Sequence, residues 1–241
     1  MSAVDAAPLL ELRGASVVFG RLHAVRDVDL SIRRGDVVAV VGANGSGKTT
    51  LLRLLHGLVA HTGSRDVRDG AGTQAMVFQR PFLLRLSVRN NVRVALWLGR
   101  RRLRAAERER RVADALQRVG LAATADRPAH ALSGGEQQRL ALGRSWALRP
   151  DILFLDEPTA NLDPSAKKEV EALLAGFAAD GMTLVMSTHN LGQAKRLATR
   201  VIYMDAGRVD TDLPTDRFFG AAARGRADLF LKGELSWSQD G

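Results

Sequence analysis

The residues best suited to chemistry form a glycine-rich segment between two largely apolar runs, Val37–Val41 and Leu51–Leu55. The segment reads Gly42-Ala43-Asn44-Gly45-Ser46-Gly47-Lys48-Thr49-Thr50. A strand, a glycine-rich turn and a helix in this order are the context of a phosphate-binding P-loop. Glycines let successive backbone N–H groups turn toward one phosphate chain, and the positive end of the helix faces the same place. We therefore predict that Lys48 reaches the β- and γ-phosphates of a nucleotide and that the Thr49 hydroxyl ligates Mg²⁺.

Two adjacent carboxylates close a second apolar run, Asp151–Pro158. Such a run predicts a parallel strand buried on both faces, and its carboxyl end is where open α/β sheets place their ligands. Asp156 would hold Mg²⁺, directly or through water, and Glu157 would accept a proton from an attacking water. The alternative is a purely structural pair of acids at a strand end.

Three single residues near predicted strand ends carry weaker signals, and the residues alone leave each of them open. Phe19 is either an aromatic platform for adenine or a core phenylalanine. Gln79, after the predicted strand Gln74–Phe78, either has a functional role, in which it orients water or touches a metal, or lies on the surface. His189, after the strand Met182–Thr188, either belongs to the site or is structural.

Two later segments predict well-capped helix starts. Ser133 is an N-cap residue and Glu136 completes a capping box, with Gly134 and Gly135 between them. This pattern indicates either a capped helix and nothing else or a second phosphate-binding helix N-terminus. In the second segment, Asp163 would cap a helix that has proline at its first position.

Composition restricts the class of protein more than its function. The chain has 241 residues, 46% of them apolar, which allows one large or two small globular domains. The net charge of +9 is compatible with nucleic acid, an anionic membrane surface or anionic ligands, and the arginines are spread over many segments. We see no run long enough for a membrane span and no signal-peptide core in residues 1–12, so we expect a cytosolic location. The absence of cysteine excludes disulfides and thiolate metal sites.

The alternation of strands and helices predicts an α/β fold with a mainly parallel sheet. Short strands are expected at Leu9–Arg13 and Ser16–Phe19, and a loop region at Gly57–Gly72. An arginine-rich helical block, Val88–Ala125, would lie beside the sheet, and its charge clusters at 100–102 and 108–111 are interpreted as solvated helix faces. Val201–Asp210 would form a final hairpin.

Taken together, six ordered motifs resemble the nucleotide-binding subunit of an ABC transporter. They match the family's Walker A, Q-loop, signature, Walker B, D-loop and switch histidine, in that order, at Gly42–Thr49, Gln79, Leu132–Gln137, Ile152–Glu157, Asn161–Asp163 and His189. Phe19 falls where the family has its adenine-stacking aromatic residue.

This resemblance implies one ABC ATPase domain over residues 1–241, with a P-loop NTPase core. The core would comprise residues 1–86 and 150–241 and include a small antiparallel β subdomain, while 87–149 would form a helical subdomain with the signature. Because Gly57–Gln74 is shorter than usual in the family, we expect the small antiparallel sheet to be trimmed.

The resemblance also implies a mechanism. Two copies would pair head to tail and trap two ATP molecules with Mg²⁺, each between the P-loop of one copy and Ser133-Gly134-Gly135 of the other. Asp163 would belong to this nucleotide site, and Glu157, His189 and Gln79 would be its catalytic residues. The helical block would grip transmembrane permease subunits at the cytoplasmic face of the membrane, served by an extracytoplasmic solute-binding protein.

The solute is predicted from smaller features. Gln79–Leu83 and the tail Phe230–Trp237 resemble the oxyanion importers, the tungstate group above all. Import of phosphate, molybdate or an amino acid, and export, are the alternatives. A DNA-associated ATPase is less favoured because a heptad insertion and a zinc hook are missing, so no nucleic-acid partner is expected.

Overall fold

Short strands and helices alternate along most of the chain. The computed structural model describes residues 7–68, 72–99, 103–220 and 226–232. In chain order the elements are β1 Leu10–Phe19, β2 Leu22–Ile32, β3 Val37–Val41, α1 Lys48–His56, β4 Thr62–Val67, β5 Gln74–Val77, α2 Val88–Leu98, α3 Ala105–Arg118, α4 Gly134–Ala147, β6 Ile152–Asp156, α5 Pro164–Ala179, β7 Thr183–Ser187, α6 Leu191–Leu197, β8 Arg200–Asp205, β9 Arg208–Pro214, α7 Thr215–Phe218 and α8 Arg226–Lys232. Within these ranges, no helix combines the length and the apolar character that crossing a membrane requires.

Residues 1–72 and 183–241 form one compact unit. Its central strand β3 pairs in parallel with β7 on one side and β8 on the other, and β9 extends the sheet antiparallel to β8. All five side chains of β3 are buried, as are all five of β7. This two-sided burial is what the continuous apolar run at Val37–Val41 predicted. The predicted hairpin at Val201–Asp210 is also confirmed.

The first unit also holds a three-stranded antiparallel sheet in the order β2-β1-β4. Two short strands were expected around Gly14, but β1 runs through it with register shifts near Ala15. Gly14 has φ 55°, and its backbone lies so close to Gly63 of β4 that a Cβ on Gly63 would be 2.3 Å from the Gly14 carbonyl oxygen. A glycine-mediated bulge therefore continues the strand where a break was predicted.

The prediction of a loop throughout Gly57–Gly72 is wrong, because β4 lies inside it. Leu10 and Glu11 of β1 pair with Val67 and Asp66 of β4. None of the six residues of β4 is fully buried. This strand is defined by backbone pairing rather than by an apolar pattern, and the small sheet keeps three strands despite the short connection.

Residues 73–182 form the second unit, in which β5 and β6 pair in parallel. The helices α2, α3 and α4 share a buried core, and the predicted helical subdomain lies within this unit together with β5, β6 and α5. Its core side chains include Val88, Val92, Leu96, Val112, Leu116 and Leu140.

Several arginines of the helical block are held in ion pairs, as expected for solvated helix faces. Arg89 pairs with Asp126, and Arg93 pairs with Glu109. Arg111 differs, because it is only 6% exposed while it pairs with Glu107. The predicted arginine cluster at 100–102 lies outside the described residues.

Candidate functional site

The P-loop connects β3 to α1, in the predicted order of strand, turn and helix. Helix α1 begins at Lys48 after Gly47, whose φ of 103° is in the left-handed region, and no side chain caps this end. The first N–H groups of a helix need partners from outside the helix, and without a side-chain cap they suit an anion. Thr49 and Thr50 lie in this first turn, partly buried.

Lys48 is folded over the loop. Its side chain is only 6% exposed, and its Nζ donates to the carbonyl oxygens of Gly42 at 2.9 Å and Ala43 at 2.7 Å. The loop carbonyls thereby hold a buried ammonium group at the start of α1. Two positive features, the ammonium and the helix end, coincide there.

Two P-loop glycines are required by close packing as well as by their backbone angles. A Cβ on Gly42 would lie 2.3 Å from the Met204 carbonyl oxygen, and one on Gly47 would lie 2.4 Å from that of Ala24. Gly45 has φ 77° but open space around it. The loop is therefore packed against the backbones of β2 and β8, a contact that no motif in the sequence predicted.

His189 lies at the same sheet edge as the P-loop. It follows β7, whose Ser187 is in register with Val40 of β3, and Thr188 N donates to Val40 O at 3.0 Å. The next residue, Asn190, caps α6 through a 3.0 Å bond from Gln193 N. The side chain of His189 is exposed at this fixed turn.

Phe19 ends β1 and is 50% exposed. The alternative of a core phenylalanine is therefore wrong. Phe19 pairs with Leu22 at the tip of the β1–β2 hairpin, and Leu22 is 63% exposed. An exposed aromatic ring at such a tip is free to stack on a flat ligand.

In the second unit, the predicted catalytic residues share one edge of the β5–β6 pair. Val77 of β5 is in register with Leu155 of β6, so Gln79 and the pair Asp156 and Glu157 leave their strands at the same end. Asp156 is only 4% exposed. Glu157 is partly exposed and has φ 47°, an uncommon value for a residue with a side chain. Such backbone strain concentrates at functional sites.

The predicted capping box at the start of α4 is confirmed. Glu136 N donates to Ser133 Oγ at 3.3 Å, and Ser133 N donates to a Glu136 carboxylate oxygen at 2.8 Å. The bond from the Ser133 backbone lowers the pKa of Glu136. Gly134 is exposed beside this box, and Gly135 is partly exposed.

Asp163 caps α5 as predicted, with Pro164 at the first helical position. Its carboxylate accepts from Ser165 N at 2.9 Å and Ala166 N at 3.0 Å, and the Ala166 bond contributes most to lowering its pKa. The starts of α4 and α5 touch, because a Cβ on Gly135 would lie 2.7 Å from Ala166 Cβ. No motif predicted this contact between the segments around Ser133 and Asp163.

The predicted Mg²⁺ ligands are divided between the units: Thr49 belongs to the first, and Gln79 and Asp156 to the second. Across the described ranges, no group of three or more His, Cys, Asp or Glu side chains could hold a metal. The predicted set supplies a hydroxyl, an amide and one buried carboxylate. All three provide oxygen atoms, which Mg²⁺ prefers as ligands. A small number of protein ligands also suits this ion, because it keeps several waters and binds phosphate oxygens.

An α/β fold with a phosphate-binding loop at one strand end and paired carboxylates at another defines a P-loop nucleotide hydrolase. The ABC transporter family model matches residues 25–160, and the chain belongs to that family. The chain is an ATPase of the ABC transporter family, and the family recognised from the six motifs is confirmed.

The curated relatives match over nearly their whole length. The glutamate transport ATP-binding protein of Corynebacterium glutamicum is 38% identical over 237 residues, which cover 92% of this chain and 98% of the relative. A phosphate import ATP-binding protein of Natronomonas pharaonis is 37% identical, covering 94% and 87%. The glutamate/aspartate import ATP-binding protein of Escherichia coli K12 is 35% identical, covering 92% and 98%.

Solved structures confirm the fold. CbiO1 of Clostridium perfringens, described as part of the ABC transporter complex CbiONQ, has a TM-score of 0.79 at 29% identity, over 88% of this chain and 90% of CbiO1. The ATP-binding cassette MJ0796, seen as a dimer with ADP and Pi, has a TM-score of 0.74 at 28% identity, over 86% and 98%. The predicted mainly parallel α/β fold with a small antiparallel sheet is therefore confirmed.

Proposed function

We propose that this chain energises an ABC importer, by binding ATP with Mg²⁺ between two copies of itself and hydrolysing it. The observation that carries the proposal is the start of α1, where Lys48 is buried over the loop and the N-cap residue Gly47 makes no side-chain cap bond. An uncapped, lysine-bearing helix start at a strand end is suited to a phosphate chain rather than to a neutral ligand.

The first unit would hold the nucleotide. Backbone N–H groups of the P-loop, from Gly42 to Thr50, would surround the phosphates, and Lys48 would exchange its loop carbonyls for β- and γ-phosphate oxygens. The exposed ring of Phe19 would stack on adenine. His189 would contact the γ-phosphate and stabilise the charge that develops there.

The second unit would supply the hydrolytic residues. Glu157 would accept the proton of the attacking water, and Gln79 would orient that water and sense the γ-phosphate. Thr49, Asp156 and Gln79 would hold Mg²⁺, which when bound neutralises charge on the β- and γ-phosphates. Burial of Asp156 fits this role, since a buried carboxylate is costly unless a cation or hydrogen bonds compensate it.

The remaining site residues would act across a dimer. Ser133, Gly134 and Gly135 would face the γ-phosphate held by the P-loop of the other copy, with Asp163 beside them. The capping box uses the N–H groups of Ser133 and Glu136, so the amides of Gly134 and Gly135 are not among its donors. The dimer of the MJ0796 cassette supports this arrangement.

The proposed solute is an amino acid. Relatives in Corynebacterium glutamicum and Escherichia coli named for glutamate transport or glutamate/aspartate import support this choice. Phosphate is the second candidate, because the Natronomonas pharaonis relative is named for phosphate import at 37% identity. These relatives do not support tungstate, and the tail that suggested it, Phe230–Trp237, lies outside the described residues beyond position 232.

The partners would be permease subunits that hold the chain at the cytoplasmic face of the membrane, with a solute-binding protein on the other side. The test is to co-purify the chain with the permease encoded beside it, reconstitute the complex in vesicles and measure ATP hydrolysis. We expect stimulation by the neighbouring binding protein loaded with glutamate, with phosphate and tungstate as the comparison solutes. Stimulation by tungstate alone would overturn the solute proposal, and a complex that never hydrolyses ATP would overturn the function.

A further inference from the structure

The turn between β8 and β9 packs directly under the P-loop. Gly207 N donates to the carbonyl oxygen of Ser46 in the loop at 3.0 Å, and Arg26 N of β2 donates to the Gly207 carbonyl at 2.8 Å. The turn is thus bonded to the phosphate-binding loop on one side and to β2 on the other.

The shape of this turn leaves little room for a side chain at Gly207. Ala206 has φ 44° and Gly207 has φ 82°, the pair of positive angles found in tight hairpin turns. A Cβ on Gly207 would lie 3.1 Å from the carbonyl oxygens of both His23 and Ala24. Since those oxygens belong to strand backbone, a side chain here would require the turn or β2 to move by a few tenths of an ångström.

A shift of the turn would be transmitted to the P-loop by contact as well as by the hydrogen bond. Met204, two residues before the turn, is the residue whose carbonyl oxygen faces Gly42, and its Cε would be 3.2 Å from a Cβ on Gly47. The loop is therefore held between the end of β8 and the backbone of β2.

Helix α8 contacts the strand residues that lead into the same turn. Arg226 forms an ion pair with Asp205, with 2.6 Å between its Nε and a carboxylate oxygen, and Asp205 is the last residue before the turn. The rings of Phe230 and Tyr203 are 5.1 Å apart between centroids, and Ala227 is fully buried.

We infer that Gly207 and Arg226 are positioning residues for the phosphates of ATP: α8 holds the β8–β9 turn, and the turn sets the backbone of the P-loop. This inference rests on the proposed binding of ATP at the P-loop. Neither residue needs to touch the nucleotide, because both act through the Ser46 and Gly42 backbone.

The first test compares Gly207→Ala with Gly35→Ala, both in a Glu157→Gln background that prevents hydrolysis. Gly35 is a matched control, because its φ of 80° is nearly the same and nothing lies within 4 Å of an added Cβ. Both variants carry the same backbone strain, so a further drop in melting temperature for Gly207→Ala would come from the contacts of its Cβ with His23 and Ala24. We expect the Kd for ATP and ADP, measured by calorimetry, to rise at least about fivefold for Gly207→Ala and to stay within about twofold for Gly35→Ala.

The second test addresses α8 by comparing Arg226→Gln with Arg208→Gln. Arg208 is exposed at the other end of the same turn, so its loss changes the charge equally without removing the bond to Asp205. Arg226→Gln should speed hydrogen exchange at residues 42–48 and raise the Kd for ATP about two- to fourfold, with Arg226→Lys restoring most of the affinity. Arg208→Gln should change neither quantity.

Equal ATP affinities for Gly207→Ala and Gly35→Ala would overturn the role of the turn, and equal behaviour of Arg226→Gln and Arg208→Gln would overturn that of α8. These failures differ from a failure of the proposed function. If the proposed function were wrong, the Glu157→Gln parent itself would not bind ATP.

Discussion

Replacing Glu157 with glutamine separates the chemistry of this strand-end carboxylate from its place in the fold. Glutamine has nearly the same shape and keeps the hydrogen-bonding oxygen, but it cannot accept the proton of an attacking water. The backbone strain at φ 47° is the same for both residues, since it depends on the presence of a Cβ. We therefore expect a change in melting temperature of at most about 2 °C.

The effect on hydrolysis should be large. Loss of a general base costs about 10²- to 10⁴-fold in rate, which corresponds to about 2.7–5.4 kcal/mol in the activation free energy. ATP affinity should be kept, because Glu157 does not contact the phosphates in the proposed arrangement. Removal of a negative charge beside Asp156 should if anything strengthen the binding of a polyanion.

The assay is single-turnover ATP hydrolysis, with nucleotide binding measured by calorimetry on the same preparation. Asp114→Asn is the control, because it removes an exposed carboxylate on α3 and should leave the rate unchanged. Hydrolysis at the parent rate in Glu157→Gln would show that Glu157 is not the base, and the proposed assignment would have to be abandoned.

Two further predictions concern the edges of the site. Phe19→Ala should weaken ATP binding by about 1–3 kcal/mol if the ring stacks on adenine, whereas Leu22→Ala, which removes an exposed side chain from the same hairpin tip, should have no effect in the same titration. Glu136→Gln should keep the capping box but lose its charge, for a loss of about 0.3–1 kcal/mol of stability at neutral pH. Because the folded state lowers the pKa of Glu136, this contribution is present above the unfolded pKa and lost as the pH falls through the folded pKa. The stability difference between Glu136→Gln and the parent should therefore shrink in unfolding curves as the pH falls below the unfolded pKa, and a difference that stayed constant there would contradict the assignment.

The parts of the fold that the sequence predicted well are those whose burial leaves a pattern. The strands β3, β6 and β7 are largely apolar because both faces of each strand are buried. Capping residues work locally, so Ser133 and Asp163 also marked their helix starts correctly. In contrast, β4 has no buried face, and its pairing with β1 could not be seen in its side chains.

The candidate site also has a part that the sequence predicted and a part that only the structure reveals. Motif spacing identified the P-loop and the strand-end residues, because their chemistry depends on residue type and local backbone. The support under the loop depends on backbone contacts between Ala24, Ser46 and Gly207, which are far apart in the chain. Nothing in the identity of Gly207 distinguishes it from any other glycine of a hairpin turn, so only the folded chain reveals its neighbours.

The central claim is that each ATP is shared by the P-loop of one copy and the Ser133 segment of the other. It is tested most directly by mixing Lys48→Ala chains with Ser133→Arg chains, both in the Glu157→Gln background. Either variant alone damages both sites of a dimer. A mixed dimer has one doubly damaged site and one site in which Lys48 and Ser133 are both intact.

The measurement is the amount of ATP-dependent dimer formed by differently tagged chains on size-exclusion chromatography, with cysteine crosslinking between the two loops as a second readout. The sequence contains no cysteine, so a crosslink between introduced pairs is unambiguous. We predict weak dimers for each variant alone, partial recovery on mixing, and crosslinks between chains. No recovery on mixing, together with crosslinks confined to single chains, would contradict the shared site.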